Sequence, residues 1–402
     1  MTDRTRIIVV GGGPAGLTAA IALAAAHVPV TLVAQSGSGD NRTTALVASS
    51  LAALAALGVW ERCRAQAAPL ATMRIVDDTG RLIRAPEAHF SAAEIGLDAF
   101  GYNIENRHLI AAMQARAAEL PTLERIDGVV SALTPAADDV TVSLADGRVL
   151  RAPLVIAADG RRSLGRAAAG IALREHRYPQ SAMTLCFGHS LPHDDTSTEF
   201  HTAEGPFTLV PLPGRRSSLV WVMHPRSLAP VRALDDAALA REIERRSHSI
   251  LGKVTLEDSR GLFPLSSSIA ERFADRRIAL VGEAGHVIPP IGAQGLNLGL
   301  RDAAAIAEIA AGALMQNGDP GAPEVLARYD QARRQDVGRR ARAVDLVNRS
   351  LLSDFLPVQS ARGFGLYLLD RIGPLRRAVM REGVAPSGDL PALMRGEPLP
   401  PL

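Results

Sequence analysis

Apolar positions along this chain follow two different patterns. Nearly unbroken apolar runs stand at Arg6–Val10, Val28–Val33, Leu154–Ala158 and Ile278–Val281, as expected of strands buried on both faces. From Ser181 to Met223 the pattern becomes alternation. Ser181–His189, Ser197–His201, Phe207–Leu212 and Ser217–Met223 read as half-buried strands, with a turn at Pro213-Gly214. Helical spacing occupies Leu17–Ala26, Ser49–Leu57, His108–Leu120, Leu239–Ile250, the stretch from Leu296 into Ala303–Ile306, and much of the chain from Pro323 onward. Shorter signals predict a hairpin over Thr72–Arg84 around Asp78-Thr79-Gly80, and a small antiparallel sheet from Val129–Leu133, Val140–Leu144 and Arg148–Arg151. Asn106 is the expected cap of the helix that starts at His108.

Two glycine-rich corners interrupt these patterns. Gly11-Gly12-Gly13-Pro14-Ala15-Gly16 follows the first buried run and opens a helix, so G-x-G-x-x-G lies inside a βαβ unit. There Gly11 allows the tight turn, Gly13 lets a pyrophosphate approach the backbone, and Gly16 lets helix and strand pack. The second corner follows Ile278–Val281 and holds Gly282, Gly285, Gly292, Gly295 and the pair Pro289-Pro290. Its prolines stiffen the loop, and its glycines let the backbone approach something flat and bulky. Leu296 and Asn297 fall among the first residues of the next helix. Free N–H groups and the helix dipole there suit a partly negative ligand edge. Glu283 is placed to accept hydrogen bonds from ligand hydroxyls.

Composition narrows the picture. The chain has 402 residues, 47% hydrophobic and 21% charged, enough for two domains or one large domain with an insertion. A net charge of +2 gives no reason to expect a nucleic-acid partner. Lys253 is the only lysine, so arginine abundance by itself says little. Cys63 and Cys186 are far apart and lack metal-ligand spacing. They imply neither a disulfide framework nor a metal site, and fit a reducing cytoplasm. No apolar run is long enough to span a bilayer.

Four further positions carry candidate chemistry. Arg42 enters the region where a dinucleotide phosphate would lie, and guanidinium–phosphate pairing is bidentate and strong. Arg107 is a second candidate phosphate contact, near a helix start. Asp159 closes the run Leu154–Ala158 and precedes Gly160, which places it at the ligand crevice of an α/β sheet. The acid that usually ends the second strand of such a unit is missing. Ala34 and Gln35 stand there, and a Gln amide can still bond a ribose hydroxyl.

Three motifs thus stand in order: the glycine turn Gly11–Gly16, Asp159-Gly160-Arg161-Arg162-Ser163 as D-G-x-x-S, and G-E-A-G-H…P-P-x-G-x-Q-G-x-N from Gly282 to Asn297. Together they resemble the FAD-dependent aromatic hydroxylases of the p-hydroxybenzoate hydroxylase type. Arg42–Leu46, Tyr102–Arg107, Pro290–Gly299 and Gly365-Leu366…Asp370-Arg371 are similar to the UbiH/UbiF-type hydroxylases of ubiquinone biosynthesis. Glu283 stands where that family usually has Asp, one methylene longer.

The resemblance implies an α/β fold with a Rossmann-like FAD-binding domain over 1–75, 100–170 and 262–322. A mainly antiparallel β-sheet substrate domain would take 76–99 and 171–261, and a C-terminal helical region 323–402. It implies non-covalent FAD held by Gly11, Gly13, Pro14, Ala15, Gly16, Gln35, Arg42, Arg107, Asp159, Gly282, Glu283, Gly295, Leu296 and Asn297. Pro290, Gly295 and Asn297 would lie at the reacting part of the flavin, whose C4a-hydroperoxide is the family's hydroxylating species. NAD(P)H or an electron-transfer protein would be the reductant, O2 the oxidant and a lipid-soluble prenylated phenol the substrate. His286 is expected to be structural, setting the loop.

Other readings remain, among them an FAD-dependent hydroxylase acting on another aromatic compound. A tryptophan-type halogenase would need W-x-W-x-I-P and a lysine near the flavin, which Trp221-Val222-Met223 and the lone Lys253 do not supply. A flavin-bearing, non-catalytic subunit of a membrane-associated biosynthetic complex is another. It draws on Phe364, Leu368, Ile372, Leu375 and Val379, which recur on one helical face flanked by Arg362, Arg371, Arg376, Arg377 and Arg381. That stripe either packs on the FAD-binding domain or meets a membrane surface. The expected location is cytoplasmic, peripheral on the inner membrane, beside other ubiquinone-biosynthesis proteins.

Overall fold

The computed structural model describes residues 5–35, 40, 42–80, 86–257, 260–289, 293–352, 372–384 and 390–402. The four unbroken apolar runs become the buried centre of one sheet. Its order is Ala274–Asp275, Ile278–Leu280, Leu154–Ala157, Ile7–Val10, Val30–Ala34 and Leu123–Asp127, parallel except at the Ala274–Asp275 edge. Parallel strands need crossover connections, and the helix Pro14–Ala25 is one of them. It packs on the helix Gln294–Met315. Both are rich in buried alanine, which lets the two backbones come close.

The alternating strands form a second sheet of nine strands. Its main path runs His286–Val287, Gly261–Ala270, Leu173–His189, Arg216–Met223, Gly205–Leu212, Thr196–Thr202, Thr72–Asp77 and Ala88–Ser91. Pairing is antiparallel except between Thr196–Thr202 and Thr72–Asp77. One face carries Phe187, Phe200, Phe207 and Trp221, sealed by Val231, Leu239 and Ile243 of two covering helices. Both sheets match the predicted α/β class, with the antiparallel sheet inserted between parts of the parallel one.

Several local expectations need correction. The strand Thr72–Asp77 pairs antiparallel with Ala88–Ser91, and 81–84, expected in the returning strand, lie outside the described residues. The antiparallel sheet also passes the expected limit at 261, running to Ala270 and taking in His286–Val287. Asn106 is not a cap. The helix starts at Asn106 itself, with Glu105 before it. The Asn106 N–H donates to the Arg42 carbonyl at 2.8 Å, so the chain passes straight from strand into helix. Its side chain instead donates to Asp40 at 2.8 Å and accepts from Thr44 Oγ1 at 2.6 Å.

The C-terminal stripe resolves into two faces. Phe364, Leu368, Arg362 and Arg371 lie outside the described residues. On the helix Gly373–Val384, Met380 and Val384 pack on Ala88, Phe90 and Phe100. Ile372, Leu375 and Val379 remain 42–48% exposed, so the stripe does not pack on the parallel-sheet half there. Arg376 turns inward, forking onto Glu94 at 2.7 and 2.8 Å over the Phe90 ring. Among the described residues no helix is long and apolar enough to cross a membrane.

Candidate active site

The glycine turn shows which of its glycines serve the protein and which face open space. Gly11 has φ +116, and a Cβ there would stand 2.2 Å from the Ala158 carbonyl oxygen. A Cβ on Gly16 would stand 2.1 Å from the Gly11 oxygen. A Cβ on Gly13 would meet nothing within 4 Å, and the same holds for Gly160 and Gly295. Pro14 and Ala15 open the helix, and Ala15 packs where a Cβ on Gly282 would come within 3.2 Å. Ala34 ends the second strand buried, beside Gly12, and Gln35 follows exposed.

The second corner is braced from below. Gly282 has φ +64. Its N–H donates to Asp302 Oδ2 at 2.9 Å, and His286 Nε2 meets the same oxygen at 2.7 Å. Arg333 Nε donates to Asp302 Oδ1 at 2.6 Å, and Arg333 and Arg301 both reach Asp336. Asp302 and His286 are almost fully buried. Burial raises the Asp302 pKa, but Arg333 and His286 hold it below the ordinary aspartate range. His286 therefore sets the loop. Asp302, Arg333 and Asp336 were not among the residues expected here, because an isolated Asp or Arg in a helix carries no signal of its partner.

Ala293, in the left-handed conformation, precedes the helix Gln294–Met315. Gly295 and Leu296 thus lie in the first turn, whose N–H groups have no partner within the helix. The Asn297 side chain is used within the protein. It accepts from Val47 N–H at 3.1 Å and donates to the Ala45 and Ala293 carbonyls at 2.8 and 2.7 Å. It clasps the helix start to the strand Thr43–Val47. Pro290 lies outside the described residues.

The charged candidates fall into two groups. Arg42 forks onto Asp40 at 2.8 and 2.7 Å, with Glu283 near enough to add to its charge stabilisation. Burial raises the Asp40 pKa, yet Arg42 and Asn106 together hold it low. Glu283 is exposed and meets Arg161 at 3.3 Å from both oxygens. Arg161, a variable position of the D-G-x-x-S motif and so not an expected site residue, therefore faces the same opening from that loop. Arg107 pairs instead with Glu105 at 2.8 Å, and Glu105 reaches Arg216 of the antiparallel sheet at 3.3 Å.

Asp159 supplies a test for a bound group. Its Oδ2 accepts the Gly165 N–H at 3.1 Å, while buried Oδ1 has no partner among the described residues. An unpaired buried acceptor costs about 1–3 kcal/mol. A ligand hydroxyl at this opening would satisfy it. Open space beside Gly13, Gly160 and Gly295, two helix starts and this orphaned oxygen all fit a dinucleotide carrying a flat ring.

Known proteins agree with this geometry. The FAD binding domain family matches residues 4–344. Ubiquinone hydroxylase UbiL of Rhodospirillum rubrum is 36% identical over 98% of this chain and 93% of its own length. The 3-demethoxyubiquinol 3-hydroxylase of Escherichia coli is 32% identical over 95% of this chain and 99% of its own. Among solved structures, an HpxO variant from Klebsiella pneumoniae complexed with FAD superposes with a TM-score of 0.76, at 19% identity, covering 95% of this chain and 99% of that one. With a glycine turn, crevice and family match along most of its length, this chain belongs to the FAD binding domain family.

Proposed function

We propose that this chain is an FAD-dependent monooxygenase that hydroxylates the aromatic ring of a prenylated phenol in ubiquinone biosynthesis. The observation that carries the reading is the opening at Gly13, Gly160 and Gly295, with the unpaired Asp159 oxygen, in a chain akin along its whole length to ubiquinone hydroxylases. FAD bound there would supply the oxygen-activating chemistry, with O2 as oxidant and NAD(P)H or an electron-transfer protein as reductant. The protein binds, orients and excludes water. Gly11, Gly13, Pro14, Ala15 and Gly16 admit the pyrophosphate, and Gln35 serves the ribose. Asp159, Gly282 and Glu283 receive the hydroxyl-bearing linker. The N–H groups of Gly295 and Leu296 meet the flavin edge that becomes negative on reduction, held in place by Asn297.

Purified protein supplied with FAD, a reductant and a prenylated phenol should release the ring-hydroxylated product. A flavin-loaded protein that turns over no prenylated phenol would leave the non-catalytic subunit as the better reading.

Arg42 is assigned to the cofactor phosphates, oriented by Asp40, with Arg107 at the neighbouring sheet boundary. A charge-assisted contact contributes about 1.5–3 kcal/mol, so Arg42→Ala should weaken FAD binding roughly 10- to 150-fold with the fold intact. Flavin titration of apoprotein measures this, and an unchanged affinity returns Arg42 to the surface.

The exposed side chains of Ile372, Leu375 and Val379, beside exposed Arg377 and Arg381, are assigned to an anionic membrane surface. A lipid-soluble phenol is then collected where it dissolves. Each surface arginine contributes about 1 kcal/mol to such binding. The protein should float with anionic liposomes, and a variant with Arg377→Glu, Arg381→Glu and Leu375→Ser should not. Arg376 is left out of the test because it serves the fold.

A further inference from the structure

The face of the nine-stranded sheet opposite its aromatic core is left partly open. Thr184 pairs with Val220, Val220 with Thr208, Thr208 with Glu199, and Glu199 with Ile75. These five residues form one row across five strands, and each is half-buried. At the usual strand spacing the row spans about 19 Å. It lies on the side of the FAD-binding half. Ser218, one pleat along from Val220, accepts from Thr43 Oγ1 at 3.0 Å and from Asn103 at 3.2 Å. A cavity of about 140 Å³ lies at the Thr184 end, between Arg42, Thr43, Cys186 and Ser218. At the other end Ile75 touches the apolar cluster that includes Met380 and Val384.

Glu199 is the one ionisable residue in that row. Its Oε1 is held by His201 Nε2 at 2.7 Å, and its Oε2 receives the Thr208 hydroxyl at 3.3 Å, a long contact that leaves room for a second donor. A carboxylate set in a row of Thr, Val and Ile, on the sheet face turned from the aromatic core, needs a reason. We propose that Glu199, steadied by His201, receives the phenolic proton of the aromatic substrate during hydroxylation. This rests on the reading of the chain as a phenol hydroxylase.

The chemistry balances. As a ring carbon forms its bond to the incoming oxygen, the phenolic O–H bond breaks and its electron pair flows into the ring. The proton goes to Glu199 Oε2. The O–O bond carrying the incoming oxygen would break with its electron pair on the departing oxygen, which would take up the proton the attacked carbon then loses; as aromaticity returns, Glu199 gives its own proton back to the phenolic oxygen. Burial raises the Glu199 pKa, but the His201 hydrogen bond and charge bring it below the ordinary glutamate range. Glu199 is thus a hydrogen-bond acceptor toward the resting phenol. It takes the proton only as bond formation makes the hydroxyl strongly acidic.

The test uses FAD-loaded protein with 2-geranylphenol and a ring-fluorinated, more acidic analogue. Positioned proton transfer contributes about 10²–10⁴-fold, so Glu199→Gln should lose at least about 100-fold in turnover with its flavin retained. Without reductant, it should also bind 2-geranylphenol about tenfold more weakly, since a charged acceptor is lost. The fluorinated phenol should recover part of the turnover loss, which a structural defect would not allow. Glu199→Asp keeps the charge but retracts it, and should show a smaller loss with the same recovery. Parent-like turnover in both variants, or equal losses on both phenols, overturns the role of Glu199. A parent protein that binds the phenol more tightly than Glu199→Gln, yet hydroxylates none, overturns the hydroxylase reading alone.

Discussion

Asp302→Asn is expected to cost about 3–5 kcal/mol of folding stability, the usual effect of removing one partner from a buried charge pair. The substitution preserves shape but leaves the buried Arg333 guanidinium facing a neutral amide. It also loosens Gly282 and His286, which share Asp302 Oδ2. Flavin binding should fall with stability, because Gly282 begins the loop assigned to the cofactor. Denaturant unfolding of the purified apoprotein measures the first effect and flavin titration the second. Parent-like values in both would show that Asp336 alone satisfies Arg333. The same network predicts acid sensitivity. Burial raises the Asp336 pKa, yet Arg333, Arg301 and Arg340 pull it from 3.8 to about 2. A folded-state value below the unfolded one stabilises the protein above pH 3.8, and that contribution disappears as pH falls toward 2.

Gly13→Ala and Gly16→Ala should part company although they lie three residues apart. Gly13 has φ −73 and ψ 171, which alanine adopts freely, and its Cβ would touch nothing in the protein. The apoprotein should therefore melt like the parent. FAD affinity should fall by at least about 100-fold, because the new methyl group takes the place of the pyrophosphate and its charge-assisted N–H contacts. At Gly16 the methyl group would instead strike the Gly11 carbonyl at 2.1 Å and the Ala158 Cβ at 3.1 Å. Neither can move without shifting helix against strand. Overpacking of this kind costs about 1–3 kcal/mol, so the apoprotein itself should melt earlier. Equal melting of the two variants would mean that Gly13 also serves packing. Unchanged FAD affinity in Gly13→Ala would place the pyrophosphate elsewhere.

Much of the parallel sheet and its glycine turn was legible in the chain. Ile7–Val10, Leu154–Ala157 and Ile278–Leu280 announce themselves because a strand buried on both faces must be apolar at every position. Gly11 and Gly16 were legible for a similar reason, since a positive φ or a contact near 2 Å leaves glycine as the residue that fits. Alternation likewise marked the antiparallel strands. These constraints act within a few residues, so a single sequence records them.

Tertiary structure alone decided who meets whom. Asn106 looked like a cap because caps are local, and became a tie to Asp40 and Thr44 because the Arg42 carbonyl already held its N–H. Arg376 looked like one of several surface arginines until Glu94 and Phe90, far back in the chain, arrived beneath it. Asp302 needed Arg333 before it had a role, and Glu199 needed the register of five strands before one could be proposed for it. A charge or hydrogen bond is satisfied by whichever group folding brings within about 3 Å. That group is fixed by strand register and helix packing, and neither is written in the residues on either side.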